Sequence, residues 1–138
     1  MGYWLVKSEP AVYGWDHLLK EGSTNWSGVR NPQALSNLKG MKKGDRAFFY
    51  HSNQGLEVVG IVEIIKEFYP DPKDKSGKLG MVDVKPLQPL KTPVTLAAIK
   101  AEPKLANLAL VKQSRLSVMP VEEKAWKLIC SMGGVKAW

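Results

Sequence analysis

Apolar and polar positions along this chain fall into blocks, and the period of the pattern changes from block to block. Residues 3–7 (YWLVK) are aromatic and aliphatic and run into Ser8-Glu9-Pro10, which predicts a first strand stopped by a proline. Residues 13–20 (YGWDHLLK) carry apolar side chains at helical spacing, with Gly22 as the stop. Residues 23–31 (STNWSGVRN) are polar and turn-rich around Trp26 and read as a loop. Pro32 opens a helix, PQALSNLKGM, with Asn31 as N-cap and Leu35, Leu38 and Met41 as its apolar stripe.

The middle of the chain switches to strand character. After a turn at Lys42–Asp45, residues 46–50 (RAFFY) and 58–65 (VVGIVEII) predict two strands joined by HSNQGLE. Gly60 inside the second predicts a bulge or a close backbone approach. Residues 70–80 form a charged connection rich in proline and glycine, and 81–87 (MVDVKPL) alternate as a strand does. PVTLAAIKAEP predicts a short helix capped by Thr95, whereas 105–111 fit either a short helix or an extended segment. Residues 115–118 (RLSV) predict a last strand, and Val121–Met132 an amphipathic helix ended by Gly133-Gly134. Strands and helices do not alternate regularly, so a doubly wound parallel sheet is disfavoured. The order predicts an α+β fold: a small, partly closed β-barrel with flanking helices.

Composition narrows the class. The chain has 138 residues, 44% hydrophobic and 24% charged, which fits one soluble domain with one core. It shows no basic region followed by a long apolar run, and no stretch long enough for a membrane span. The single Cys130 lies in a helical pattern, so a buried free thiol in a reducing compartment is expected. The formal net charge of +7, from 20 Lys+Arg against 13 Asp+Glu, favours a polyanionic partner.

Candidate chemistry divides into catalysis and recognition. The only histidines are His17 and His51, and no Cys or His pair has metal-ligand spacing. GxSxG, Walker and GxGxxG motifs are absent, so the expectation is a non-enzyme with no metal and no cofactor. For recognition, Lys7 and Ser8 end the first strand, and Trp26 stands among Asn25, Ser27 and Gly28 with a face suited to stacking on a base. Packing of that loop on the core explains the same tryptophan equally well. Arg30 reads as a phosphate contact or a surface charge, and Asn31 as a helix cap or a base-edge contact. Tyr50, His51, Ser52 and Asn53 put donors and acceptors at a strand end. Arg115 and Ser117 fall on the face opposite Leu116 and Val118.

The segments YWLVKSEP (3–10), WSGVRNPQA (26–34), LKGMKKGD (38–45), FFYHSN (48–53), VGIVEI (59–64), VDVKPL (82–87) and SRLSVMPV (114–121) together resemble the EVE domain family. The resemblance spans nearly the whole chain and implies one EVE domain over residues 1–138. That family is similar to the PUA-like superfamily, which implies a five- or six-stranded pseudobarrel with flanking helices. It is also similar to the YTH domain, a reader of N6-methyladenine in RNA.

By that resemblance the chain acts as a reader of a modified base, of the cytosine or adenine class, in DNA or RNA, in the bacterial cytosol or nucleoid; separately, a monomer is expected. The expected pocket holds Trp26, Ser8, Asn31, Tyr50, His51 and Ser52, with Lys7, Arg30 and Arg115 on neighbouring phosphates. Asn53, Ser117 and Trp4 are further pocket candidates, with Tyr50 or Trp4 as a second aromatic wall. The alternatives are a PUA-type RNA-binding module without base selectivity, a site for a free small ligand, and a small nucleotide-processing enzyme using His51 as acid/base.

Overall fold

A computed structural model describes residues 2–136. Six strands form one mixed sheet: β1 (Tyr3–Ser8), β2 (Thr24–Trp26), β3 (Arg46–His51), β4 (Glu57–Pro70), β5 (Gly80–Thr95) and β6 (Val118–Pro120), in the order β2-β5-β4-β3-β1-β6. All neighbours pair antiparallel except β1 and β3, which run parallel from Tyr3↔Arg46 to Ser8↔His51. The sheet curls into a half-barrel with flanking helices, the PUA-like α+β architecture. It stays open, with β2 on one edge and β6 on the other.

The helices are α1 (Pro10–Tyr13), α2 (Trp15–Glu21), α3 (Pro32–Gly40), α4 (Leu96–Ala101), α5 (Ala109–Lys112) and α6 (Glu123–Met132). Asn31 caps α3 by accepting from the Ala34 N–H at 3.0 Å, and Thr95 caps α4 by accepting from Ala98. Trp126 anchors α6 between the rings of Phe48 (3.9 Å) and Tyr3 (4.6 Å). Cys130 on the same helix is buried, and desolvation pushes its thiol up to about 11. No helix among the described residues is long and apolar enough to cross a membrane.

Three local expectations are corrected. Pro10 starts α1 at its first position, where its missing N–H costs nothing. Thr24–Trp26 is not a loop but an edge strand, pairing Trp26 with Val82. The last strand begins at Val118, because Gln113–Leu116 close a turn through Leu116 N–H to the Gln113 carbonyl.

Two features place the helices that matter for the site. Opposite Gly60 the β3–β4 register shifts, and a Cβ built there would lie 2.4 Å from the Trp15 ring. The bare Gly60 backbone is therefore the seat of α2. The start of α2 is then held by both histidines: Gly14 N–H donates to His17 Nδ1 at 2.7 Å and Trp15 N–H to His51 Nε2 at 3.1 Å. At the other end of β1, the buried Asp45 carboxylate accepts from Gly2 N–H, Trp4 Nε1 and Lys42 N–H.

Gly60→Val is expected to destabilise the chain by about 1–3 kcal/mol through overpacking against Trp15, read from the urea midpoint. The His51 contribution depends on pH. Burial holds this imidazole below its ordinary value of 6.5, against the pull of the Glu57 and Asp16 carboxylates. The unfolded chain therefore binds the extra proton first, and stability falls as pH drops from 6.5 through the lowered folded value. The stability advantage of wild type over His51→Gln should shrink as denaturation is moved from pH above 6.5 to pH below it. A pH-independent difference would contradict the capping role.

Candidate functional site

The two edges of the open sheet come together around one depression of about 480 Å³. One wall is the end of β1 with Ser117, which precedes β6; the facing wall runs from Thr24 to Arg30, along and just beyond β2. Val12 and Tyr13 at the end of α1 supply the third side.

Backbone bonds fix the first wall. Lys7 N–H donates to the Ser117 carbonyl and Ser52 N–H to the Ser8 carbonyl, both at 2.9 Å. The Ser8 hydroxyl donates to the Tyr13 carbonyl, which ties α1 to β1 and leaves the oxygen's lone pairs for a ligand donor. Lys7 Nζ donates to the Ser114 carbonyl at 2.9 Å and lies 5.8 Å from the Tyr50 ring centre. Desolvation lowers its pKa from the ordinary 10.5.

The second wall is set by aromatic packing. Trp26 meets Phe49 edge-on at 5.4 Å, and Phe49 takes Trp15 and His51 on other sides. Trp26 is 8% exposed, so it belongs both to the core and to the pocket lining. Beyond it the chain turns through Gly28 at φ 78°, a left-handed conformation that glycine adopts without strain. Arg30 then stands at the exposed rim.

Lys7, Ser8, Trp26, Arg30 and Ser117 are thus brought to one pocket. Asn31 and Arg115 line an adjoining groove. Tyr50 does not line the pocket: it is buried beneath Lys7. His51 is engaged with the start of α2, Ser52 with the Ser8 carbonyl, and Asn53 sits in the hairpin turn at φ 68°. Trp4 lies at the far end of β1, bonded to Asp45.

Sequence reasoning missed Val12 and Tyr13. Tyr13 falls in a predicted helical stripe, yet the helix breaks at Gly14 and Tyr13 joins the pocket lining, its ring stacked on His17. Its hydroxyl donates to Glu21, and burial together with that bond pushes its pKa to about 12. Val12 is 74% exposed at the pocket rim, and its place there follows from the fold and not from any pattern in the sequence. Among the described residues no group of three His, Cys, Asp or Glu side chains could hold a metal ion.

The chain has relatives in both sequence and structure. Human thymocyte nuclear protein 1 is 31% identical, over 94% of this chain and 73% of its own length. A Rhodopseudomonas palustris protein solved by NMR is 60% identical with a TM-score of 0.93, over 97% of this chain and 94% of that one. The crystal structure of human thymocyte nuclear protein 1 in complex with 5-methylcytosine-containing DNA superposes with a TM-score of 0.86 at 32% identity, over 96% and 98% of the two chains. The YTH domain of Zygosaccharomyces rouxii MRB1, solved with N6-methyladenosine RNA, shares the fold with a TM-score of 0.61 at 14% identity, over 99% of this chain and 90% of that one. The model of the EVE domain matches residues 2–132, and with these relatives it establishes that the chain belongs to the EVE domain family.

Proposed function

We propose that this chain binds nucleic acid without catalysing a reaction on it, and that the pocket between the two sheet edges receives a single modified base. The observation that carries this reading is the lining itself. Trp26, Tyr13, Val12 and Val29 give it aromatic and apolar surface, while Lys7 and Arg30 bring positive charge to the same opening. A base presents a flat apolar face and a polar edge, with a phosphate on either side. The human family member solved with 5-methylcytosine-containing DNA supports a modified base as the ligand.

In this reading Trp26 and Tyr13 bracket the ring, Ser8 and Asn25 face its edge, and Lys7 and Arg30 hold the flanking phosphates. The base enters from a single strand or by flipping out of a duplex, which costs a few kcal/mol. Burial of one methyl group contributes about 0.8 kcal/mol, close to a fourfold preference. A larger preference therefore requires a polar group left unpaired by the unmodified base.

One observation favours a second reading, a PUA-type RNA-binding module without base selectivity. Trp26 is only 8% exposed, which leaves a narrow strip of ring for stacking. The two readings part at the preference for modification measured at fixed salt, because phosphate contacts alone make affinity salt-dependent and indifferent to the base.

Trp26→Phe keeps an aromatic ring on Phe49 and is the variant of choice, since Trp26→Ala also opens a core cavity costing about 3–5 kcal/mol. Phe retains part of the stack, so binding of a strand carrying one 5-methylcytosine is expected to weaken by about 5- to 10-fold, a fraction of the roughly 150-fold that loss of a whole base stack can cost. Lys100→Ala, an exposed charge on α4, should change the same titration by less than about twofold. Equal losses in the two variants would remove the pocket from the binding site.

A further inference from the structure

We propose that the groove adjoining the pocket is a second binding site, for the sugar-phosphate backbone of the nucleotides next to the recognised base. The inference rests on the reading of the pocket as a base site. The groove has a volume of about 310 Å³ and is lined by Asn31, Gln33, Lys112, Gln113 and Arg115, among others.

Continuity of the chain joins the two depressions. Arg30 lines the pocket and Asn31 the groove; Ser117 lines the pocket and Leu116 the groove. The same two segments thus wall both. Lys7 marks the divide, since it lines the pocket while its ammonium bonds the Ser114 carbonyl on the groove side. A strand leaving the pocket on this side passes Lys7 and enters the groove.

The chemistry of the two linings differs as a base differs from its backbone. The pocket has Trp26 and Tyr13, whereas no aromatic residue lines the groove among the described residues. The groove instead offers two exposed cations, Lys112 and Arg115, and the amides of Asn31, Gln33 and Gln113. Cations and neutral amide donors are the groups that hold phosphate and sugar oxygens. Asn31 spends its side-chain oxygen on the α3 cap, so its amide N–H groups remain to donate. The positive end of the nine-residue α3 opens at the same place.

The acidic residue the site does show is at its margin, where the Glu21 carboxylate accepts from the Tyr13 hydroxyl. The chain has 13 Asp+Glu, yet among the described residues none lines either depression. Lys7, Arg30, Lys112 and Arg115 therefore form a run of positive charge through both. A phosphodiester strand is the ligand that matches such a run.

The test compares the wild-type 138-residue chain with Lys112→Gln/Arg115→Gln and with Lys124→Gln/Lys127→Gln, a matched loss of two charges on α6. Each is titrated across a salt series with a short single strand carrying one central 5-methylcytosine, and with its unmodified counterpart. Loss of two phosphate contacts should lower the slope of log affinity against log salt by about 1.4 in the groove variant. The α6 variant should show a smaller change, and the groove variant should keep the wild-type preference for the modified strand.

A slope in the groove variant no lower than that of the α6 variant overturns the groove assignment and leaves the base reading intact. Loss of the modified-base preference in the groove variant overturns it too, because the groove would then be reading the base. A lowered slope with no modified-base preference in wild type overturns the base reading and with it the proposed division of labour. Absence of binding by wild type overturns both.

Discussion

The parallel pairing of β1 with β3 is the constraint on which the pocket depends. Two parallel strands cannot be joined by a tight turn, so the chain must travel the length of the sheet before it starts β3. That crossover contains α1, α2, β2 and α3. It delivers Val12, Tyr13 and Thr24–Arg30 to the end of the sheet where β1 finishes with Lys7 and Ser8. Most of the pocket is therefore made by the connection, and the strand it serves contributes only the remaining wall. The same pairing sends Tyr3, Trp4 and Arg46 to the opposite end, where Asp45 gathers the chain start.

The open seam is stabilised without being closed. A bare strand edge invites pairing with another chain, and short edge strands covered by other elements reduce that risk. β2 and β6 are three residues each. Asn37 on α3 donates to the Val118 carbonyl at 2.8 Å and so occupies part of the β6 edge. Phe49 holds the other side, since the rings of Trp15 and Trp26 both abut it. The part of the pocket wall formed by Trp26 is consequently packed into the core. A side chain there can be altered only at some cost to stability, which is why conservative variants are the informative ones.

Much of the fold was legible from local pattern. β1, β3, the Asn31 and Thr95 caps and α6 follow from period, caps and stops that act within a few residues. Other features depend on distant partners. β5 extends to Thr95, well beyond the 81–87 that alternate as a strand; the ladder accommodates Pro86, Pro89 and Pro93 by shifting register near Gly60 and Val62. β2 is polar and short and has the sequence of a loop, and only pairing with Asp83 and its neighbours makes it a strand. For the site, the residues at the end of β1 and beyond β2 were visible as polar interruptions of apolar runs. Tyr13 was hidden in a helical stripe, and Trp4 and Tyr50 drew attention as aromatics although burial and Asp45 hold them elsewhere.

The bond from Trp15 N–H to His51 Nε2 has a consequence for chemistry as well as for folding. A neutral imidazole has one lone pair in the ring plane and one N–H, so with Nε2 accepting, the ring proton resides on Nδ1. The lone pair that a general base would use is already committed to the backbone of α2. For His51 to take a proton from a substrate at that nitrogen, it would first have to give up its bond to the start of α2.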